Sequence, residues 1–447
     1  MTDSLATVSS VPASTPFHHR GNFRPVTEEL TAFDLPVSGA LPVELHGLFV
    51  RNGPNPAAQS THWFLGDGMV HGLRVEDGVA RWYRNRFVRT RRLTEGASAF
   101  AADGSRDFTA GMANTNVIQH GGRLLALEEA SFPYELSAEL DTVGPYDFDG
   151  RLTGAMTAHP KRCPLTGELH LFGYDFAPPF LTYRVADAAG RLVTSRTVDV
   201  PGPTMMHDFN ITEHFVVFMD LPAVFDLELA MRGTMPYRFE PAYGARLGVL
   251  RRDDPHGAVR WFDIEPCYVF HALNAHDDGR MITIDVVRHR DLWFSGDAVP
   301  GVLWRWTVDL VTGTVAEQQL DDRGGEFPRV DDRQIGLRAH RGWITSTADH
   351  DNSESANAIV LYDLDTATSR CHRFGPGRVA AEAVFAPADD EPGGRGWLLT
   401  FVYDTTHDTS DLVVLDIDHI EAEPVAVIHL PQRVPYGFHG SWIADNA

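Results

Sequence analysis

The sequence predicts an all-β protein, a seven-bladed β-propeller, on three observations. A unit of two alternating apolar runs joined by a short polar turn recurs seven times, at separations of roughly 45 to 65 residues, as radial repetition requires. Segments with convincing helical periodicity are scarce. Four histidines in half-apolar settings, His159, His207, His271 and His439, lie far apart along the chain and can meet only at a common axis. A sandwich or two stacked β domains would also use alternating hairpins, but even spacing suits radial repetition better than two sheets.

Taken in order, the first twenty residues, MTDSLATVSSVPASTPFHHR, carry Asp3 and neither a basic start nor a long apolar segment. They are expected to form a flexible lead-in (1–20) rather than a signal peptide, followed by one domain over 21–447. GLFVRNGPNP (Gly47 to Pro56) puts a short strand before a Gly/Pro/Asn turn. The seven hairpins are expected at His71–Phe87, Val117–Glu129, Leu181–Val198, Leu247–Ile264, Trp304–Leu320, Ile359–Phe374 and Leu412–Leu430, as the outer strands of successive blades. Between them, the run from Ile211 to Met219 reads as a buried strand. The best helix candidate is Pro222–Met235, with apolar Val224, Phe225, Leu227, Leu229 and Met231 and a closing Gly233.

Composition bounds the function. With 43% hydrophobic and 22% charged residues, the 447-residue chain can build a substantial core. Acidic residues outnumber Lys and Arg by 61 to 38, for a formal net charge of -23, which repels phosphate backbones, so no nucleic-acid partner is expected. Three scattered cysteines, Cys163, Cys267 and Cys371, make neither a disulfide framework nor a thiolate metal site, and fit a reducing cytoplasm. No apolar run approaches the roughly 18 residues that span a bilayer, so any membrane contact is expected to be peripheral.

A lone histidine among apolar neighbours is more often satisfied in a core than bound to a metal. Four in the same setting shift that balance, because neutral imidazoles suit first-row transition metals. Four of them in an octahedral sphere leave two positions open for chemistry. A structural zinc site would instead be closed and built with local spacing.

The motifs GNFRPVTEE, LHGLFVRNGPNP, WFLGDGMVHGL, NRFVRT, ANTNVI, LLALEEASFPYEL, MTAHPK, MMHDF, FHALNA, EFPR, EAVFAP and VPYGFHGSW run almost end to end. In that order they resemble the carotenoid cleavage oxygenases. That family also holds the retinoid isomerase of vertebrate vision and bacterial stilbene- and phenylpropene-cleaving oxygenases. The resemblance implies a propeller capped by loops and short helices over the metal face. One Fe(2+) on the axis would be held by His159, His207, His271 and His439, with Glu129, Glu326 and Glu382 behind three of them. The implied reaction uses O2 to cleave a carbon-carbon double bond of a hydrophobic small molecule into two carbonyl products. An isomerase on the same iron, a propeller used only for binding, and a different metal in the same cage remain open alternatives.

Two departures bear on specificity. Leu65 stands where the family usually has an acidic residue, and Glu128 stands where phenol-cleaving members carry a lysine. The second favours an apocarotenoid or similar linear polyene over a stilbene or propenyl phenol. Phe64, Phe87, Phe132, Trp293 and Phe294 are candidates for lining a substrate tunnel, although aromatics are more often core. The apolar stretch Val224–Met231 is a candidate rim where a greasy substrate enters. The oligomeric state is not set by the sequence.

Overall fold

The computed structural model describes residues 17–57, 60, 62–292, 300–346 and 356–445, and these are mostly strand and turn. Helices are single turns such as Arg91–Glu95 and Leu227–Met231. Phe17–His19 and Gly21–Phe23 form 3-10 turns at the start, and buried His18 bonds through Nε2 to the Ser60 carbonyl at 2.9 Å. Ordered structure thus reaches into the stretch expected as a lead-in. Trp293 and Phe294 lie outside the described residues.

All seven predicted hairpins form as antiparallel pairs. Two have two-residue turns in which both central residues take positive φ: Asp77 (51°) and Gly78 (72°), then Gly121 (56°) and Gly122 (76°). That backbone twist matches the right-handed twist of the flanking strands, and Asp-Gly and Gly-Gly adopt it at least cost. Five of the pairs sit toward the ends of their sheets remote from the histidines and glutamates. The exceptions are Asn116–His120 with Arg123–Leu127, whose first strand borders the central channel, and Val302–Asp309 with Thr314–Arg329, which lies inside the seven-stranded sheet and carries Glu326 on its second strand.

Among the described residues the strands build six sheets of four or more strands and a two-stranded ribbon. The seven-stranded sheet has two limbs that share Thr314–Arg329, which pairs first with Val302–Asp309 and then with Arg341–Ser346. Near the termini, Gly47–Pro54 pairs with Gly440–Ala444, Val50 opposite Ser441, so the two ends of the chain share one five-stranded sheet.

Apolar clusters fill the spaces between successive sheets and limbs. Leu48, Val50, Val117 and Tyr134 join the first sheet to the second, and Leu125, Leu127, Leu169 and Leu171 join the second to the third. The packing continues through Phe172, Tyr183, Phe209 and Phe218, then Val217, Leu247, Ile284 and Trp306. Val287 and Val360 connect the two limbs, and Trp343 and Leu398 lead to the six-stranded sheet. Finally Phe49, Leu73, Phe401 and Ile428 pack that sheet against the first, returning the core to its start.

Two local expectations are corrected. Ile211–Met219 is not one strand: Phe209–Ile211 and Phe215–Asp220 are separate antiparallel strands. Thr212 makes the turn, accepting from Phe215 N–H at its Oγ1 (2.9 Å). Pro222–Met235 is not one helix either. Ala223–Phe225 pairs with Tyr237–Phe239, and Asp226 then caps the short helix Leu227–Met231 by accepting from Glu228 and Leu229 N–H. Gly233 (φ 69°) ends it, because the chain must reverse to return as the ribbon's second strand.

Candidate metal centre

Seven residues reach the centre, one from each sheet or limb. His159 immediately precedes the edge strand Lys161–Arg162 by one proline, His207 stands just before Phe209–Ile211, His271 lies within Tyr268–Asp277, and His439 precedes Gly440–Ala444. Glu129 follows Arg123–Leu127, Glu326 lies within Thr314–Arg329, and Glu382 sits between Arg378–Ala380 and Val384–Pro387. The four histidines bring one nitrogen each to within 4.8 Å of one another.

The outer nitrogens decide what the inner ones can do. Nδ1 of His207 is paired with Glu129, Nδ1 of His271 with Glu326, and Nδ1 of His439 with Glu382 at 2.9 Å. A carboxylate accepts a hydrogen bond from the Nδ1–H there, so each Nε2 presents a lone pair inward. The Nε2 atoms of His207 and His271 stand 3.2 Å apart, and two lone pairs at that distance repel. His159 Nε2 is buried with no hydrogen-bond partner among the described residues. A cation between the rings satisfies all of these atoms, so the donor set fits a divalent first-row metal ion. Burial, then crowding by the other three histidines, holds His159 well below the usual imidazole range, and burial brings His439 down to about 4. Both are therefore neutral and able to ligate.

Each glutamate has its own outer support. Tyr174 donates its hydroxyl to Glu129, and His289 Nε2 lies 3.0 Å from Glu326 Oε1. Glu382 accepts from Gly440 N–H at 2.9 Å and faces Arg329 at 3.2 Å. Burial opposes ionisation of Glu382, but Arg329 and His439 outweigh it and bring the carboxyl down to about 2. Its negative charge is locked in.

Aromatic rings wall the cluster. Phe327, in the left-handed region at φ 55°, donates its N–H to Glu326 at 2.6 Å and lays its ring 5.6 Å from His271 and 5.4 Å from His439. A phenylalanine rarely adopts that conformation, and strain of this kind gathers at functional sites. Phe270 lies 5.4 Å from His207, and Phe438 stacks on His439. Of the predicted tunnel residues, Phe64 reaches this wall, 5.2 Å from Phe438. Phe132 instead packs on the cluster of Leu125, Leu127 and Phe148 and stacks on Phe108. Phe87 is half-buried at the end of Val79–Phe87, its N–H given to Glu29. Phe270, Phe327, Phe438, Tyr174 and Arg329 were not singled out by the sequence. Their only signal is adjacency to a histidine or glutamate for the first three and a place in the EFPR motif for Arg329, with none for Tyr174. On the strand side of the centre a channel of about 640 Å³ reaches His159, His271 and His439.

An all-β body with four convergent imidazoles, three of them backed by carboxylates, defines a class of metal-dependent enzymes. The sequence model of the retinal pigment epithelial membrane protein family matches residues 23–444, and the chain belongs to that family. It is an enzyme of the carotenoid-cleavage dioxygenase type. The carotenoid cleavage oxygenase of Mycobacterium tuberculosis is 39% identical, over 98% of this chain and 99% of the relative. Carotenoid 9,10(9',10')-cleavage dioxygenase 1 of Arabidopsis thaliana is 35% identical, over 97% and 91%. Among solved structures, Pseudomonas brassicacearum lignostilbene dioxygenase matches with a TM-score of 0.88 and 30% identity, over 97% of this chain and 100% of that one. A variant of the Synechocystis apocarotenoid oxygenase matches at 0.85 and 26%, over 95% and 98%.

Proposed function

We propose that this chain is a non-haem iron(II) dioxygenase that cleaves one carbon-carbon double bond of an apocarotenoid or related linear polyene to two carbonyl products. The observation that carries the reading is the set of inward-facing Nε2 atoms, three oriented by carboxylates. Iron(II) held by His159, His207, His271 and His439 supplies activation of dioxygen. Both oxygen atoms end in the products, so the reaction needs no outside reductant. The chain's own part is to orient the imidazoles and to hold the alkene beside them, with Phe270, Phe327, Phe438 and Phe64 excluding water. The sheets and limbs are read as seven blades of one propeller, with loops and short turns such as Trp63–Leu65 capping the metal face.

Polyene over phenol rests on Glu128. It is buried, accepts from Met112 N–H at 3.0 Å, and is pushed up by that burial, so a phenolate finds no cation there. The likeness to a lignostilbene dioxygenase supports the competing reading, a stilbene or propenyl-phenol substrate. No helix among the described residues is long and apolar enough to cross a membrane. Exposed Leu227 (65%) and Met231 (81%) support peripheral contact with a lipid surface. Anaerobic iron loading, then oxygen uptake and product mass spectrometry with apocarotenal, resveratrol-like and isoeugenol-like substrates, tests the proposal. Cleavage of the phenols alone, improved by Glu128→Lys, would move the substrate class and leave the iron site standing. No oxygen uptake with any alkene would remove the dioxygenase reading.

A further inference from the structure

Three of the four histidines have a glutamate behind the ring. Among the described residues no carboxylate hydrogen-bonds the ring of His159, and the strand that follows it, Lys161–Arg162, is the shortest of the four that carry or follow a ligand. Something else must place this imidazole. Its turn is held at the backbone, where Thr157 Oγ1 accepts from His159 N–H (3.0 Å) and Asn116 donates to the Ala158 carbonyl (2.8 Å). Those bonds locate the loop against its own sheet and its neighbour, but they do not tie it to the strands of His207 and His271.

Asp208 makes that tie. Its side chain is 2% exposed, and both oxygens are occupied. Oδ1 accepts from the Phe209 N–H at 2.8 Å and lies 2.7 Å from Lys161 Nζ, while Oδ2 accepts from the Ala272 N–H at 2.9 Å. Asp208 directly follows His207, Ala272 directly follows His271, and Lys161 stands two residues beyond His159. One buried carboxylate therefore joins three of the four ligand-bearing segments at the head of the axial channel. We propose that Asp208 and Lys161 are a positioning pair that sets where His159 stands relative to His207 and His271, replacing the glutamate this ligand lacks.

The inference rests on the metal-centre reading, and charge provides a sharp test of it. Around the centre, Glu129, Glu326, Glu382 and Asp208 stand against Lys161 and Arg329. If these groups acted only through their charge, Lys161→Met would tighten a divalent cation and Asp208→Asn would loosen it. A positioning pair behaves differently, because losing either partner frees His159. The full-length protein is titrated with Co(II) alone, following its visible ligand-field absorption. Wild type, Lys161→Met, Lys161→Arg and Asp208→Asn are compared.

Both Lys161→Met and Asp208→Asn are expected to raise the dissociation constant roughly 10-fold or more and to alter the absorption bands, with Lys161→Arg recovering most of the loss. Should Asp208→Asn fail to fold, Lys161→Met decides alone. Binding by Lys161→Met as tight as or tighter than wild type, with an unchanged spectrum, overturns the proposal, as does a lower melting temperature with unaltered Co(II) binding. A wild-type chain that takes up no Co(II) would instead bring down the metal-centre reading itself.

Discussion

Glu382 differs from the other two glutamates that back the histidines in facing an arginine. It bonds His439 and Gly440 and faces Arg329, whereas Glu129 has Tyr174 and Glu326 has His289 and Phe327. Replacing any of the three by Ala is expected to weaken metal binding and activity by roughly 10- to 100-fold, since each loses the group that aims an imidazole. Glu382→Ala should also lower the melting temperature of the metal-free protein, because it strips a charge partner from Arg329. Alanine at His159, His207, His271 or His439 should abolish turnover, read by oxygen uptake and metal analysis together. His214, exposed and paired with Asp277, and half-buried His276 should tolerate the same change. Full occupancy and turnover in His207→Ala would contradict the assignment.

At the scale of elements, two strand pairs repeat one device. His71 on Gly68–Glu76 bonds Tyr83 at 2.8 Å, and His170 on Leu169–Tyr174 bonds Tyr183 at 2.6 Å, each across a diagonal of its antiparallel pair. Burial, then nearby Arg252, brings His170 down to about 3, and burial with Arg51 and Arg433 holds His71 well below the ordinary value of 6.5. Below that value the unfolded chain takes up a proton that the folded chain refuses. Stability from His170 is therefore full above pH 6.5 and falls as the pH drops toward 3, by on the order of 1 kcal/mol per pH unit, and His71 acts in the same direction. Urea unfolding at pH 7 and 5 should show this slope flattened in His170→Gln, and an unchanged slope would contradict it. The Leu227–Met231 turn carries a different expectation. Leu227→Glu with Met231→Glu should reduce sedimentation with liposomes and leave bound metal unaltered, because both side chains are exposed and far in kind from the site.

For the whole molecule, the pairing of Gly47–Pro54 with Gly440–Ala444 couples the two ends of the chain to the metal centre. A Cβ at Gly440 would lie 2.4 Å from the Val50 carbonyl, so the strands must separate to admit it. The same residue's N–H holds Glu382. Gly440→Ala is accordingly expected to lower the melting temperature and the metal affinity together, measured by calorimetry and Co(II) titration. A fall in one without the other would mean that closure of the fold and construction of the site are separable.

The sequence by itself determined the class of fold and the four histidines. Period-two alternation and turn chemistry are local properties, so His71–Phe87 and Val117–Glu129 are legible with no knowledge of their neighbours. Glu129, Glu326 and Glu382 came from the resemblance, since a lone Glu326 between glycines and a proline otherwise reads as a solvated loop charge. The tertiary structure alone decided which glutamate backs which histidine, for Glu129 meets His207 and Glu382 meets His439 across different sheets. It also decided that Ile211–Met219 breaks at Thr212 and that Phe132 faces a core cluster. The link between Lys161, Asp208 and Ala272 belongs to the same kind. Such contacts depend on how separate sheets close around one axis, and no periodicity along a single strand encodes that distance.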